Sequence, residues 1–135
     1  MGSAAFTPLG LDQVVLHVRD QAASQTFYCD VLGCTVDRVN ARISLVHLRF
    51  GDQFIDILPL DPKEPADIGR GRMDHFCLSI RCDDLKALAA DLRGKGARIE
   101  GDVVQRYGAY GDGPSLYLRD PDDYVVELKP REAGR

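Results

Sequence analysis

The chain is written twice. Gln13-Val14-Val15-Leu16-His17-Val18 and His75-Phe76-Cys77-Leu78-Ser79-Ile80 both alternate in the manner of half-buried strands. Each is followed by an arginine and then by an aspartate that can cap a helix, Asp20 in the first copy and Asp83 or Asp84 in the second. Apolar stripes then predict helices over about residues 21–32 (Ala23, Phe27, Val31) and 85–93 (Leu85, Leu88, Ala89, Leu92), closed by Gly33 and by Gly94 or Gly96. A short strand follows each, near 34–38 and 97–100. The copies also end alike. Leu48-Arg49 leads to a strand from Phe54 to Pro59, and Leu118-Arg119 to one from Tyr124 to Pro130. Turns are expected at Gly51-Asp52 and Pro121-Asp122-Asp123. Each half therefore reads strand, helix, three strands: an α+β chain of two tandem βαβββ modules.

Module one is expected over about 9–60, a Pro- and Gly-rich linker over about 61–71 and module two over about 72–130, within a single domain spanning 1–135. A unit of roughly 60 residues is too small to bury a comfortable core alone. It needs a partner sheet, in the other half of the chain or in a second copy, so a homodimer is expected.

Composition removes several classes. Of 135 residues, 44% are hydrophobic and 28% charged, which excludes a disordered chain. No apolar run has the length of a membrane span. With 17 Lys+Arg against 21 Asp+Glu, no basic excess advertises a nucleic-acid partner. The segment MGSAAFTPLG lacks a basic n-region and an apolar h-region, and Phe6 breaks the myristoylation pattern after Gly2, so a cytoplasmic location is expected. Cys29, Cys34, Cys77 and Cys82 form no CxxC pair and read as free thiols.

The repeat places chemistry at matching positions. Gln13 is equivalent to His75, and Asp56 to Glu127. If the two sheets face one another across a cleft, an amide, an imidazole and two carboxylates point inward from four strands. Each alone reads as an ordinary polar strand residue. Together they are a costly burial of two carboxylates that a divalent cation would offset. The donor types suit Ni, Co, Zn, Mn, Mg or Fe(II), with open positions for water or substrate.

The segments LDQVVLHVRD, FYCDVLG, MDHFCLSI and LYLRDPDDYVVELKP resemble the vicinal oxygen chelate superfamily, which includes glyoxalase I, extradiol dioxygenases, fosfomycin-resistance enzymes, methylmalonyl-CoA epimerase and the bleomycin-resistance binding proteins. The resemblance covers nearly the whole chain. It implies paired βαβββ modules forming a half-open mixed β-barrel, often completed by dimerisation. It also implies metal ligands at Gln13, His75 and Glu127, with Asp56 falling where glyoxalase I has a second glutamate. Being one methylene shorter, Asp56 could ligate directly, ligate through water or act as a base. Two departures narrow the resemblance. Gln13 leaves only one histidine for a 2-His-1-carboxylate iron site. Gly71-Arg72-Met73-Asp74 is unlike the glyoxalase I stretch before its own histidine, which argues against glutathione recognition.

Other residues are expected around the cleft. His17 shares the face of Gln13, and His47 and Arg49 share a face whose counterparts are Tyr117 and Arg119. These are candidate substrate contacts. So are Tyr107 and Tyr110 in the Gly-rich segment 106–115, read as a lid loop. The leading expectation is a glyoxalase-like lyase or isomerase. It would bind vicinal oxygens of a small molecule on a divalent metal, with Glu127 or Asp56 moving the proton. Ring-cleavage dioxygenase chemistry comes second. The alternative from another class is a metal-free binding protein of the bleomycin-resistance type.

Overall fold

The computed structural model describes residues 5, 7–61, 63 and 73–132. The linker expected over 61–71 lies outside them apart from Asp61 and Lys63. Module one runs β1 (Gln13–Val18), α1 (Gln21–Thr26), a wider π-helical turn (Phe27–Val31), β2 (Thr35–Asn40), β3 (Leu45–Phe50) and β4 (Gln53–Pro59). Module two runs β5 (Phe76–Ile80), α2 (Leu85–Gly94), β6 (Arg98–Gly108), β7 (Gly111–Arg119) and β8 (Val125–Pro130).

The sheets have the same order, β1-β4-β3-β2 and β5-β8-β7-β6. In each, the first strand pairs parallel with the last and the remaining pairs are antiparallel. Two four-stranded mixed sheets thus form a half-open arrangement rather than a closed barrel. The helices start where side chains supply the missing acceptor. Asp20 accepts from the Ala23 N–H at 3.1 Å, and Asp84, not Asp83, from the Ala87 N–H at 3.0 Å. Gly33, at φ +79°, follows the first helix, where the Cys34 N–H returns to the Tyr28 carbonyl at 2.9 Å.

Alternation decides what each sheet buries. One face supplies Leu16, Val18, Val46, Leu48, Ile55 and Ile57 in module one, and Leu116, Leu118, Val126 and Leu128 in module two, all buried. Each such aliphatic side chain contributes about 1.5–3 kcal/mol. The helices cover this face: Phe27 and Tyr28 in module one, Leu85, Ala89 and Leu92 in module two. The opposite face is left for polar side chains.

One expectation is overturned. Segment 106–115 is not a lid loop. β6 and β7 continue through it as a hairpin, with Tyr107 paired to Asp112 and Gly108 to Gly111, around a turn at Ala109-Tyr110. Two of its glycines answer to packing: a Cβ at Gly108 would lie 2.9 Å from Lys129 Cε, and one at Gly113 would lie 3.1 Å from Lys129 Nζ. Only Gly111, at φ +104°, is there for backbone conformation.

The modules are tied by polar contacts. Tyr28 donates to Asp120 at 2.8 Å, the Arg19 backbone and side chain both reach Asp122 at 2.9 Å, and the Tyr124 hydroxyl donates to the His17 carbonyl at 3.2 Å. Among the described residues, no helix is long and apolar enough to cross a membrane.

Candidate active site

His75 stands immediately before β5, and Glu127 lies on β8, whose parallel register sets Cys77 beside Glu127. His75 Nε2 is 2.9 Å from Glu127 Oε1, and its Nδ1 is 2.7 Å from the exposed carboxylate of Asp74. The Tyr117 ring meets the imidazole edge-on at 5.5 Å. Ser115 Oγ donates to Glu127 Oε2 at 2.6 Å. Glu127 is 6% exposed, so both its oxygens are held in a largely dry environment.

The matching place in module one holds a different pair. Asp56, 1% exposed, sits opposite His47 in the β3–β4 register, and His47 Nδ1 donates to its Oδ1 at 2.9 Å. Asp56 Oδ2 is buried and has no hydrogen-bond partner among the described residues. The register confirms the equivalences: Asp56 faces His47 as Glu127 faces Tyr117.

Near the N-terminal ends of β1 and β5 lies a cleft of about 340 Å³. Gln13 and His75 line it, with Phe50, Phe54, Phe76 and Cys77 among its walls. The structure therefore brings His75 to Glu127 and sets Gln13 on the same cleft, whereas Asp56 is brought to His47. Among the described residues, no three His, Cys, Asp or Glu side chains converge as a metal-binding group.

The other candidates divide. Arg49 bonds Asp37 at 3.1 Å and stacks over Phe54 at 4.5 Å, and Arg119 bonds Glu100 and the Asp123 carbonyl. Both guanidiniums thus have protein partners. His17 is exposed near the far end of β1, with Nδ1 3.5 Å from the Pro59 carbonyl. Tyr107 is 82% exposed on the face opposite Arg106, and Tyr110 packs under Arg131 at 4.2 Å. The hairpin conformation is what removes these tyrosines from a lid role.

All four cysteines are free. Burial, reinforced by the Glu127 charge, pushes the Cys77 thiol up to about 11, so it stays protonated and weakly nucleophilic near neutrality. Burial alone dominates at Cys34, pushed up to about 12.

The sequence reading missed Ser115, Asp74, Asp120 and Lys129. Ser115 and Lys129 were reachable by counting two residues along the strand from Tyr117 and from Glu127. Asp120 was hidden because its role is a turn. Its Oδ1 accepts from the Asp122 and Tyr124 N–H groups at 2.8 and 2.9 Å.

A duplicated βαβββ chain with a histidine–glutamate pair beside a cleft defines a class of two-module, half-open β proteins. The chain belongs to the Glyoxalase/Bleomycin resistance protein/Dioxygenase superfamily, whose family model matches residues 10–128. It is 30% identical over 131 residues to the mitochondrial methylmalonyl-CoA epimerase of Mus musculus, covering 88% of this chain and 71% of that one. It is 27% identical over 124 residues to a probable lactoylglutathione lyase of Synechocystis, covering 84% and 89%. Among solved structures, the integron cassette protein VCH_CASS1 of V. cholerae matches with a TM-score of 0.75 at 27% identity, covering 96% of this chain and 100% of that one.

Proposed function

We propose that the chain is a glyoxalase-like lyase or isomerase that holds a divalent metal and acts on a small molecule through two neighbouring oxygens. The observation carrying this reading is the His75–Glu127 pair at 2.9 Å. Both nitrogens of the His75 ring face carboxylates, and each of these hydrogen bonds holds one proton on one partner or the other. A cation between Nε2 and Glu127 would replace one of those protons, while Asp74 at Nδ1 would fix the ring as an outer-shell carboxylate does. The Gln13 amide on the same cleft adds an oxygen donor. This set suits Ni, Co, Zn, Mn or Fe(II).

When bound, the metal supplies Lewis acidity toward an oxyanion. The chain's own groups do the rest. Ser115 holds Glu127 in place. Phe54 and Phe76 limit water in the cleft. Asp56, as a ligand, would have to turn toward the pair; with Oδ2 unpartnered among the described residues, we assign it the substrate's proton, with Glu127 as the second carboxylate able to move one. The epimerase and lyase relatives support isomerase or lyase chemistry, and a single histidine in the ligand set disfavours the dioxygenase alternative.

The reading includes a homodimer, supported by the wholly exposed strand β2 with Val36 and Val39 on it, and a cytoplasmic location, supported by four free thiols. Metal analysis of protein purified without chelators tests the enzyme reading. About one transition metal per chain is expected, with His75→Ala and Glu127→Ala each well below that. The second reading, a metal-free binding protein, is favoured by the aromatic cleft lining and by the lack of three converging ligands among the described residues. Absence of metal from the wild-type protein, with none taken up on addition, would select it.

A further inference from the structure

Lys129 is the one buried lysine of the four in the chain, at 9% exposure; Lys63, Lys86 and Lys95 are exposed. It lies on β8 two residues beyond Glu127, so both side chains project from the polar face of the second sheet. Its chain crosses Gly108 and Gly113, and its amine donates to the Arg106 carbonyl at 2.9 Å. An ammonium has three N–H donors. Among the described residues, no carboxylate forms an ion pair with this one. Burying a cation without a counter-charge is costly.

A second cation stands nearby. Arg106, on the same hairpin, donates to the neighbouring Gln105 carbonyl at 2.9 Å and interacts with Tyr117, its guanidinium 5.8 Å from the centre of that ring. Tyr117 in turn touches His75. From the His75–Glu127 pair, the face thus passes through Tyr117 to two cations that have no acid partner among the described residues. Arg119 on the same sheet, by contrast, is matched by Glu100.

We propose that Lys129, assisted by Arg106, anchors an anionic group of the ligand, so that the polar face of the second sheet takes small molecules bearing a carboxylate or phosphate beyond the oxygens bound at the His75–Glu127 pair. This rests on the reading of that pair as the reactive centre. The anion supplies the missing counter-charge and accepts the two ammonium protons that the Arg106 carbonyl leaves over. Gly108 and Gly113 keep the path of the lysine chain free of side chains. A charge-assisted bond of this kind fixes orientation as well as affinity.

The test uses the metal-free protein with inorganic phosphate in one arm and malonate in the other, each against chloride at equal ionic strength. Binding is read by calorimetry, and the four lysine side-chain signals by nuclear magnetic resonance. The expected result is saturable binding of at least one anion, a shift confined to the Lys129 signal, and at least tenfold weaker binding in Lys129→Met. The arm that binds tells phosphate from carboxylate. If Lys129→Met does not fold, the wild-type lysine signals still decide. Anion binding that leaves the Lys129 signal unmoved, equal binding in a folded Lys129→Met, or no binding above chloride would overturn the proposal. Because no metal is present, the outcomes separate. Anion binding at Lys129 in a protein that takes up no metal defeats the enzyme reading alone, and metal uptake without anion binding defeats the anchor alone.

Discussion

Tyr28 donates its hydroxyl proton to Asp120 Oδ2 at 2.8 Å, and both residues are fully buried. The bond joins the helical segment of module one to the turn between β7 and β8 in module two. Asp120 also organises that turn through two backbone N–H groups. One carboxylate therefore sets the local turn and the relation of the two modules.

Removing the donor leaves Asp120 short of a partner in a dry place. Tyr28→Phe is expected to cost about 1–3 kcal/mol of stability, measured by urea unfolding. A cost near zero would mean that the bond does not couple the modules.

The same carboxylate predicts a pH dependence. Burial pushes Asp120 from 3.8 up to about 6, against the hydrogen bonds from Tyr28, Tyr124 and Asp122 that pull it down. The folded chain then holds this proton through a range where the unfolded chain has released it. The contribution is complete below about pH 4 and is lost as pH rises toward 6, a change on the order of 3 kcal/mol. Urea midpoints at pH 4.5 and 7 should differ more in the wild type than in Asp120→Asn. Identical differences in the two proteins would contradict the assignment.

Ser115 acts on the centre through Glu127. Ser115→Ala is expected to weaken metal affinity by roughly 10–100-fold while leaving the fold intact. Metal titration beside a circular dichroism spectrum checks this. Unchanged affinity would show that the Ser115 bond to Glu127 is only structural.

Gly108→Ala would bring a Cβ to 2.9 Å from Lys129 Cε. The far end of a lysine can move aside, so the stability cost should stay near 1 kcal/mol or below. The amine, however, would leave the Arg106 carbonyl, and anion binding should fall several-fold. Thermal unfolding and phosphate titration of this one variant test both halves of the statement.

Much of the fold was legible because the repeat makes each half check the other. The strand opening at Gln13, the matching strand (begun one residue early, at His75 in place of Phe76), the cap at Asp20 and the equivalence of Asp56 with Glu127 all follow from alternation and spacing. The segment 106–115 was misread because glycine signals either backbone freedom or close approach, and here Lys129 lies across two of its glycines. Arg49 and Arg119 looked available for substrate because their acid partners, Asp37 and Glu100, sit on neighbouring strands. Cross-strand register is what sequence spacing does not carry. It also led Asp56 to His47, where spacing alone had grouped it with His75.

The central claim is that His75 and Glu127 hold a metal, and zinc titration followed on histidine ring nitrogens tests it most directly. The chain has three histidines, His17, His47 and His75. One equivalent of zinc should move the Nε2 signal of His75 and leave His17 and His47 in place, and Glu127→Ala should abolish the change. A His75 Nε2 signal that does not move at saturating zinc would contradict the account.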